Sequence, residues 1–168
     1  MKEKRKNQTL KMALVLFALL FLIDQIVKIM VIYFNVNNTI IKDILSFRLV
    51  YNKGIAFGIG QQTNMITFII SNLIVLGIII RFIYLQKDRM DAVTMYGLFL
   101  VLAGGIGNFV DRIFRTQVVD FIEIFPKIHF PVFNLADIYI VFGWVILAFS
   151  FAMYTYKEMK IRKKQGSR

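Results

Sequence analysis

The sequence predicts an all-α integral membrane protein: four transmembrane helices, with a small extracytoplasmic β-ribbon, a cradle, between helices 1 and 2. Three observations lead there. Hydrophobic residues make up 58% of the 168 residues and mean hydropathy is +0.64, where an ordinary soluble domain carries roughly 45–50% apolar residues. The apolar residues gather into four runs, each near the ~20 residues that cross a hydrocarbon core. Lys and Arg are shared unequally between the two ends of those runs. Helices follow from the runs, because only helices and closed barrels satisfy their own backbone in lipid. The whole chain, 1–168, reads as one membrane domain.

The first run covers about 12–34 and is interrupted by Asp24 and Lys28. Basic residues precede it, as in a signal peptide. The run is too long for one, however, and no small-residue cleavage site follows, so it reads as an uncleaved first span. Next comes an outer segment, 35–64. Within it Leu45, Phe47, Leu49 and Tyr51 alternate with Ser46, Arg48 and Val50, and Ile55, Phe57 and Ile59 alternate with Ala56, Gly58 and Gly60. A period of two predicts strands, and Asn52-Lys53-Gly54 between them predicts a hairpin turn. The second and third spans, 65–85 and 92–110, are joined by a short charged turn and are expected to be antiparallel neighbours. A second outer segment, 111–136, holds both prolines, Pro126 and Pro131. The fourth span covers about 137–156, and its Tyr154 and Tyr156 suit an interfacial belt.

Fourteen Lys and Arg fall on the side of the two tails and the 81–91 turn, and six on the side of the outer segments. The positive-inside rule then places both termini in the cytoplasm. The net charge of +11 is thereby explained by topology. No soluble basic module with stacking aromatics is visible, so a nucleic-acid partner is not expected.

Composition narrows the chemistry. There is no cysteine, one histidine (His129) and only four serines. Disulfides, thiolate sites, cysteine nucleophiles and paired-histidine metal sites are excluded. Nothing in the sequence calls for a metal or a cofactor. Carboxylates, amides, Lys/Arg and backbone are what remains.

Charged groups inside a span are expensive and need a reason. Asp24 and Lys28 stand i, i+4, acid first, and read as a self-neutralising pair able to orient its neighbours. Gly97, Gly104, Gly105 and Gly107 on the third span suit close helix packing. Gly104, Asn108 and Asp111 or Arg112 also form one polar stripe, which packing alone does not require. Asp120 lies among Val118, Val119, Phe121 and Ile122. Its bland alternative is a loop acid paired with Arg115 or Lys127. Asn134 suits an N-cap, and Asp137 three residues later suits the positive end of a helix. His129 reads as a loop or interface histidine. Ser71 and Ser150 are expected to bond to their own backbone, and Arg81 to reach the cytoplasmic surface.

Five blocks in order, Asp24-Gln25-Ile26-Val27-Lys28, Asn52-Lys53-Gly54-Ile55-Ala56-Phe57-Gly58, Gly104-Gly105-Ile106-Gly107-Asn108-Phe109-Val110-Asp111-Arg112, Val118-Val119-Asp120-Phe121 and Phe133-Asn134-Leu135-Ala136-Asp137, resemble those of bacterial lipoprotein signal peptidase, the type II signal peptidase. The resemblance spans 24–137. It implies an aspartyl endopeptidase of the bacterial cytoplasmic membrane, with its active site at the extracytoplasmic face. The implied substrates are prolipoproteins carrying a diacylglyceryl cysteine, cut on the amino side of that cysteine, and globomycin-type peptides are implied inhibitors. Membrane lipid is the other implied partner. The family's catalytic pair falls on Asp120 and Asp137. Its supporting or substrate-binding positions fall on Asp24, Lys28, Asn52, Gly54, Gly104, Asn108, Asp111, Arg112 and Asn134. Ile55 stands where the family often has Ala, and the 120–134 interval is one whose length varies in the family.

Two nearby carboxylates do not both ionise cheaply, so a shared proton is expected. Which Asp acts as acid stays open, with the helix N-terminus favouring charge on Asp137. Three rival readings remain: a Ser–Lys protease built on Ser46 with Lys42 or Lys53, a small transporter, and a non-catalytic membrane assembly factor.

Overall fold

The computed structural model describes residues 2–54 and 65–165. Four long helices are present: α1 (Lys2–Tyr33), α2 (Met65–Gln86), α3 (Ala92–Arg115) and α4 (Leu135–Gln165). All four are long and apolar enough to cross a membrane. α3 is the central one, packing on α1, α2 and α4. Its apolar stretch is 56% buried inside the protein, against 11–22% in the other three. The outer helices turn apolar side chains such as Leu19, Ile74 and Phe149 outward, as lipid-facing helices do.

Glycine sets the α3–α4 approach. A Cβ on Gly104 would collide with the Ala136 carbonyl oxygen, and one on Gly143 would lie 2.8 Å from the Gly97 oxygen. The packing expected of the third-span glycines is therefore what they do. At the other end of α3, Asp91 caps the helix, its side chain accepting from Thr94 N at 2.8 Å. Ser71 bonds to its own helix at Thr67 O, as expected. Ser150 does not. Its hydroxyl meets Thr94 Oγ1 at 2.7 Å, because α3 lies close enough to offer a better partner than a backbone carbonyl already in use.

A three-stranded antiparallel sheet caps one end of the bundle, in the order β1 (Asn37–Ile41), β2 (Leu45–Asn52), β3 (Val118–Ile124). Two strands come from between α1 and α2, and the third from between α3 and α4. The expected strand 45–51 is present. The 55–59 strand of the expected hairpin lies outside the described residues, and the partners β2 takes within them are β1 and β3. Asn52 and Gly54 form an Asx turn, with Gly54 N donating to Asn52 Oδ1 at 2.8 Å. Helix limits also differ from the expected spans. α3 runs on to Arg115, so Asp111 and Arg112 are helical and not in an outer loop. α4 starts at Leu135, two residues early, because Asn134 caps it.

After β3 the chain turns through a short 3-10 turn at Pro126–Ile128, flanked by Phe125 and His129, both at positive φ. It then runs back along β3. Phe133 O accepts from Phe121 N and Ile122 N, and Phe133 N donates to Ile122 O. This return places Asn134 beside Asp120.

Candidate active site

Asp120 sits near the middle of β3, opposite Val50 of β2, where the register slips between Phe47 and Val50. Such bulges re-aim side chains. Its carboxyl is only 2% exposed, and each oxygen accepts one amide: Oδ2 from Asn52 Nδ2 at 2.9 Å and Oδ1 from Asn134 Nδ2 at 2.7 Å. The proposed loop partners are engaged elsewhere, Arg115 with Asp111 and Lys127 with Asp43.

Asp137 and Asn134 form a reciprocal cap on α4. Asp137 N donates to Asn134 Oδ1 at 2.9 Å, and Asn134 N donates to Asp137 Oδ2 at 3.1 Å. This is a capping box with an acid in the third helical position. The other Asp137 oxygen accepts from Asn108 Nδ2 at 2.7 Å. The Asn134 side chain therefore links the two acids: its Nδ2 holds Asp120 and its Oδ1 caps the residue that carries the second carboxyl. Both acids line one cleft of about 950 Å³, with Asn52, Gly54, Asn108 and Arg112 on its walls. Burial, with the charge of Asp137 beside it, pushes the Asp120 carboxyl up from its ordinary 3.8 to about 7. The hydrogen bonds from Asn52 and Asn134 and the charge of Lys28 pull the other way and lose.

Arg112 joins the wall elements. Its Nη2 donates to Gly54 O at 3.0 Å and its Nη1 to Asn108 O at 3.2 Å, and the guanidinium lies 5.8 Å over the Phe68 ring. Asp24, Lys28 and Asp111 are fully buried and stand behind the cleft. Lys28 Nζ lies 2.9 Å from Asp24 Oδ2 and 2.8 Å from Asp111 Oδ2. Asp24 Oδ1 accepts from Ala136 N at 3.0 Å, which ties α1 to the first turn of α4. Gly104 acts through packing alone, at the same turn. Ser46 spends its hydroxyl on Thr39 Oγ1 at 3.4 Å, across β1–β2.

The family model described as Signal peptidase (SPase) II matches residues 16–153. This chain belongs to that family. A lipoprotein signal peptidase of Brevibacillus brevis is 38% identical over 133 residues, 77% of this chain and 87% of its own. One from Clostridium novyi is 40% identical over 112 residues, 65% of this chain and 74% of its own. A bacterial membrane enzyme solved by the in meso method at 2.3 Å resolution aligns with a TM-score of 0.76 at 26% identity, covering 86% of this chain and 90% of that one. As a signal peptidase II, this chain is a multi-pass membrane peptidase.

Three residues of this signal peptidase II lie outside the expected site set: Arg115 and Gln25 join the polar network, and Asn72 lines the cleft. Arg115 pairs with Asp111 and donates to Gln25 Oε1 at 3.0 Å. Gln25 in turn donates to Asp24 Oδ2 at 3.1 Å. The i, i+4 acid-first spacing that singled out Asp24 and Lys28 also holds for Asp111 and Arg115, and was the available signal. Asn72, on α2, lines the cleft while donating to Phe68 O at 2.8 Å. A lone amide in an apolar span was its signal.

Proposed function

We propose that this signal peptidase II is an aspartyl endopeptidase with Asp120 and Asp137 as its catalytic pair. It removes signal peptides from prolipoproteins carrying a diacylglyceryl cysteine and cuts on the amino side of that cysteine. One observation carries the reading: two carboxyls from distant parts of the chain face one cleft and are joined through the single amide of Asn134.

Asp137 is the base and Asp120 the acid. Asp137 accepts from Asn108 Nδ2 and Asn134 N in the first turn of α4, where donors converge on its carboxyl. Asp120, held up to about 7, keeps its proton over a pH range in which an ordinary carboxyl has lost it. Asp137 takes a proton from water as the water oxygen attacks the scissile carbonyl carbon. Asp120 gives its proton to the carbonyl oxygen. As the tetrahedral diol collapses, one of its hydroxyls returns a proton to Asp120, the C–N bond breaks, and the proton on Asp137 passes to the cysteine nitrogen. Asn52, Asn108, Asn134, Arg112 and the Gly54 backbone hold the pair and the substrate backbone.

The cleft also runs along α4 past Ile138, Ile140, Val141 and Phe142, an apolar wall that suits the substrate's lipid chains in the bilayer. The Lys and Arg count supports a topology with both termini in the bacterial cytoplasm and the cleft at the extracytoplasmic face. Globomycin-type peptides are the expected inhibitors. The test is purified protein with a diacylglyceryl-modified precursor, an unlipidated one and a globomycin control. Asp120→Asn and Asp137→Asn should each lose at least about a hundredfold in rate. Retention of wild-type processing by either folded variant would refute the pair.

A further inference from the structure

We infer that Lys28 is a positioning residue for this reaction: its buried ammonium fixes which way the Asn108 amide faces, and so keeps a donor on Asp137. The inference rests on the aspartyl reading above.

An ammonium has three hydrogens and no acceptor. Lys28 Nζ, on α1, has three acceptors in reach: Asp24 Oδ2 at 2.9 Å, Asp111 Oδ2 at 2.8 Å and Asn108 Oδ1 at 3.1 Å. Its donors are therefore all assigned. The third contact matters because an asparagine side chain is nearly symmetric in shape and opposite in chemistry at its two ends. With Oδ1 turned to Lys28 Nζ, and also accepting from Asn134 Nδ2 at 3.1 Å, Nδ2 is the end that meets Asp137 Oδ1 at 2.7 Å. The reverse orientation would aim an NH2 at an ammonium and at the Asn134 NH2, and a carbonyl at a carboxylate. Every one of those contacts is repulsive. Lys28 thus acts on Asp137 through Asn108, while touching neither acid of the pair.

Placement adds to the case. Lys28 and Asp24 come from α1, which contributes no wall residue to the cleft among the described residues. The charged groups around this contact are Asp24 on α1, Asp111, Arg112 and Arg115 on α3, Asp120 on β3 and Asp137 on α4, with the Tyr139 phenol of α4 within range of Asp24. Replacing Lys28 leaves Asp24 and Asp111 with Arg115 alone, so the single variant is at risk of misfolding. Lys28→Met with Asp24→Asn removes one charge of each sign, keeps the Asp111–Arg115 pair and keeps an acceptor for Ala136 N.

The experiment measures kcat and KM for a diacylglyceryl-modified precursor with full-length protein in lipid. The enzymes are wild type, Lys28→Met, Lys28→Met/Asp24→Asn, Asn108→Ala and Asn108→Ala with the Lys28 change. Folded protein is counted by its thermal transition, and Asp120→Asn is run beside them. Expected are a kcat loss of roughly ten- to a hundredfold with KM nearly unchanged, an acid limb of the pH–rate profile moved to higher pH, and almost no further loss when the Lys28 change is added to Asn108→Ala. Losses that multiply in the Asn108→Ala background would overturn the inference, since Lys28 would then act independently of the amide. So would a folded Lys28 variant with wild-type kcat and pH profile. An active Asp120→Asn enzyme would instead strike the aspartyl reading, and this inference with it.

Discussion

Asn52 offers a direct lever on the acid of the proposed pair. Its Nδ2 donates to Asp120 Oδ2 at 2.9 Å, and this bond is the largest of the influences that lower the Asp120 carboxyl, which nonetheless stands at about 7. Remove the donor, and the charged form of Asp120 becomes harder to reach. A hydrogen bond to a charged group contributes ~1.5–3 kcal/mol. Asn52 is half-buried beside an open cleft, so the low end applies, and at 1.36 kcal/mol per pH unit that is about one unit. The sign follows from the role. If protonated Asp120 is the active form, rate falls as pH rises through its pKa, so Asp120 sets the alkaline limb. Asn52→Ala should move that limb up by about one unit and leave the acid limb in place. Asn52 also holds Gly54 N through Oδ1 at 2.8 Å, so Ala loosens the turn as well. Asn52→Asp keeps that acceptor and puts a charge where the donor was. Its alkaline limb should stand higher still. The assay is initial rate on a lipid-modified precursor across the pH range, with folding checked at each pH. An alkaline limb unmoved in both variants, or lowered in either, would show that Asp120 is not the group whose protonated form works.

Four further outcomes follow from the same geometry. Asp120 keeps its proton to about 7 when folded and to about 3.9 when unfolded, so the native state binds more protons between those values and stability should fall as pH rises through them, by at most on the order of 4 kcal/mol. Thermal midpoints in detergent should show that slope in the wild type and a flatter one in Asp120→Asn, even though the variant is inactive. Gly104→Ala drives a methyl into the Ala136 carbonyl oxygen and should destabilise by ~1–3 kcal/mol while lowering kcat, because Ala136 adjoins Asp137; a normal transition and rate would refute this. Arg112→Lys keeps the charge but not the planar fork that spans Gly54 O and Asn108 O, and a drop of roughly tenfold in kcat/KM is expected. Asn72→Leu removes the one amide that α2 presents to the cleft among the described residues and should change KM with little effect on kcat, read from steady-state rates.

The helices were legible because length and hydropathy decide a bilayer span nearly alone; the ends differ at Asn134, which caps α4, at Thr116, whose positive φ ends α3, and in the polar tails, where α1 starts at Lys2 and α4 runs on to Gln165. The strand at 45–51 was legible because its alternation is regular. β1 was not. Its residues Asn37–Ile41 are all exposed, so no apolar period marks them. Nor was β3 legible as a partner of β2, since Val118, Val119, Asp120 and Phe121 are all buried and a strand covered on both faces does not alternate. The polar positions were visible one at a time, because each is costly in an apolar setting. Their connections were not, since a hydrogen bond such as that between Lys28 and Asn108 joins residues 80 apart and has no local trace.

What brings the two acids together is backbone geometry more than side-chain attraction. Asp120 is held by the β2–β3 ladder, and Asp137 by the first turn of α4. The chain between them makes a 3-10 turn and returns along β3 through the Ile122–Phe133 bridge, delivering Asn134 against Asp120 before α4 begins. Burying Asp120 and setting a second carboxyl on the same cleft is unfavourable by itself, as the raised Asp120 records. The fold offsets it with neutral amides, Asn52, Asn108 and Asn134, rather than with a cation bonded to either acid among the described residues. A cation in direct contact would hold both acids ionised and abolish the proton that one of them must donate. Lys28 and Arg112 accordingly stand one hydrogen bond away, Lys28 through the Asn108 side chain and Arg112 through the Asn108 and Gly54 carbonyls. Amides in contact and cations behind them are the arrangement that allows a buried pair to share a single proton near neutral pH.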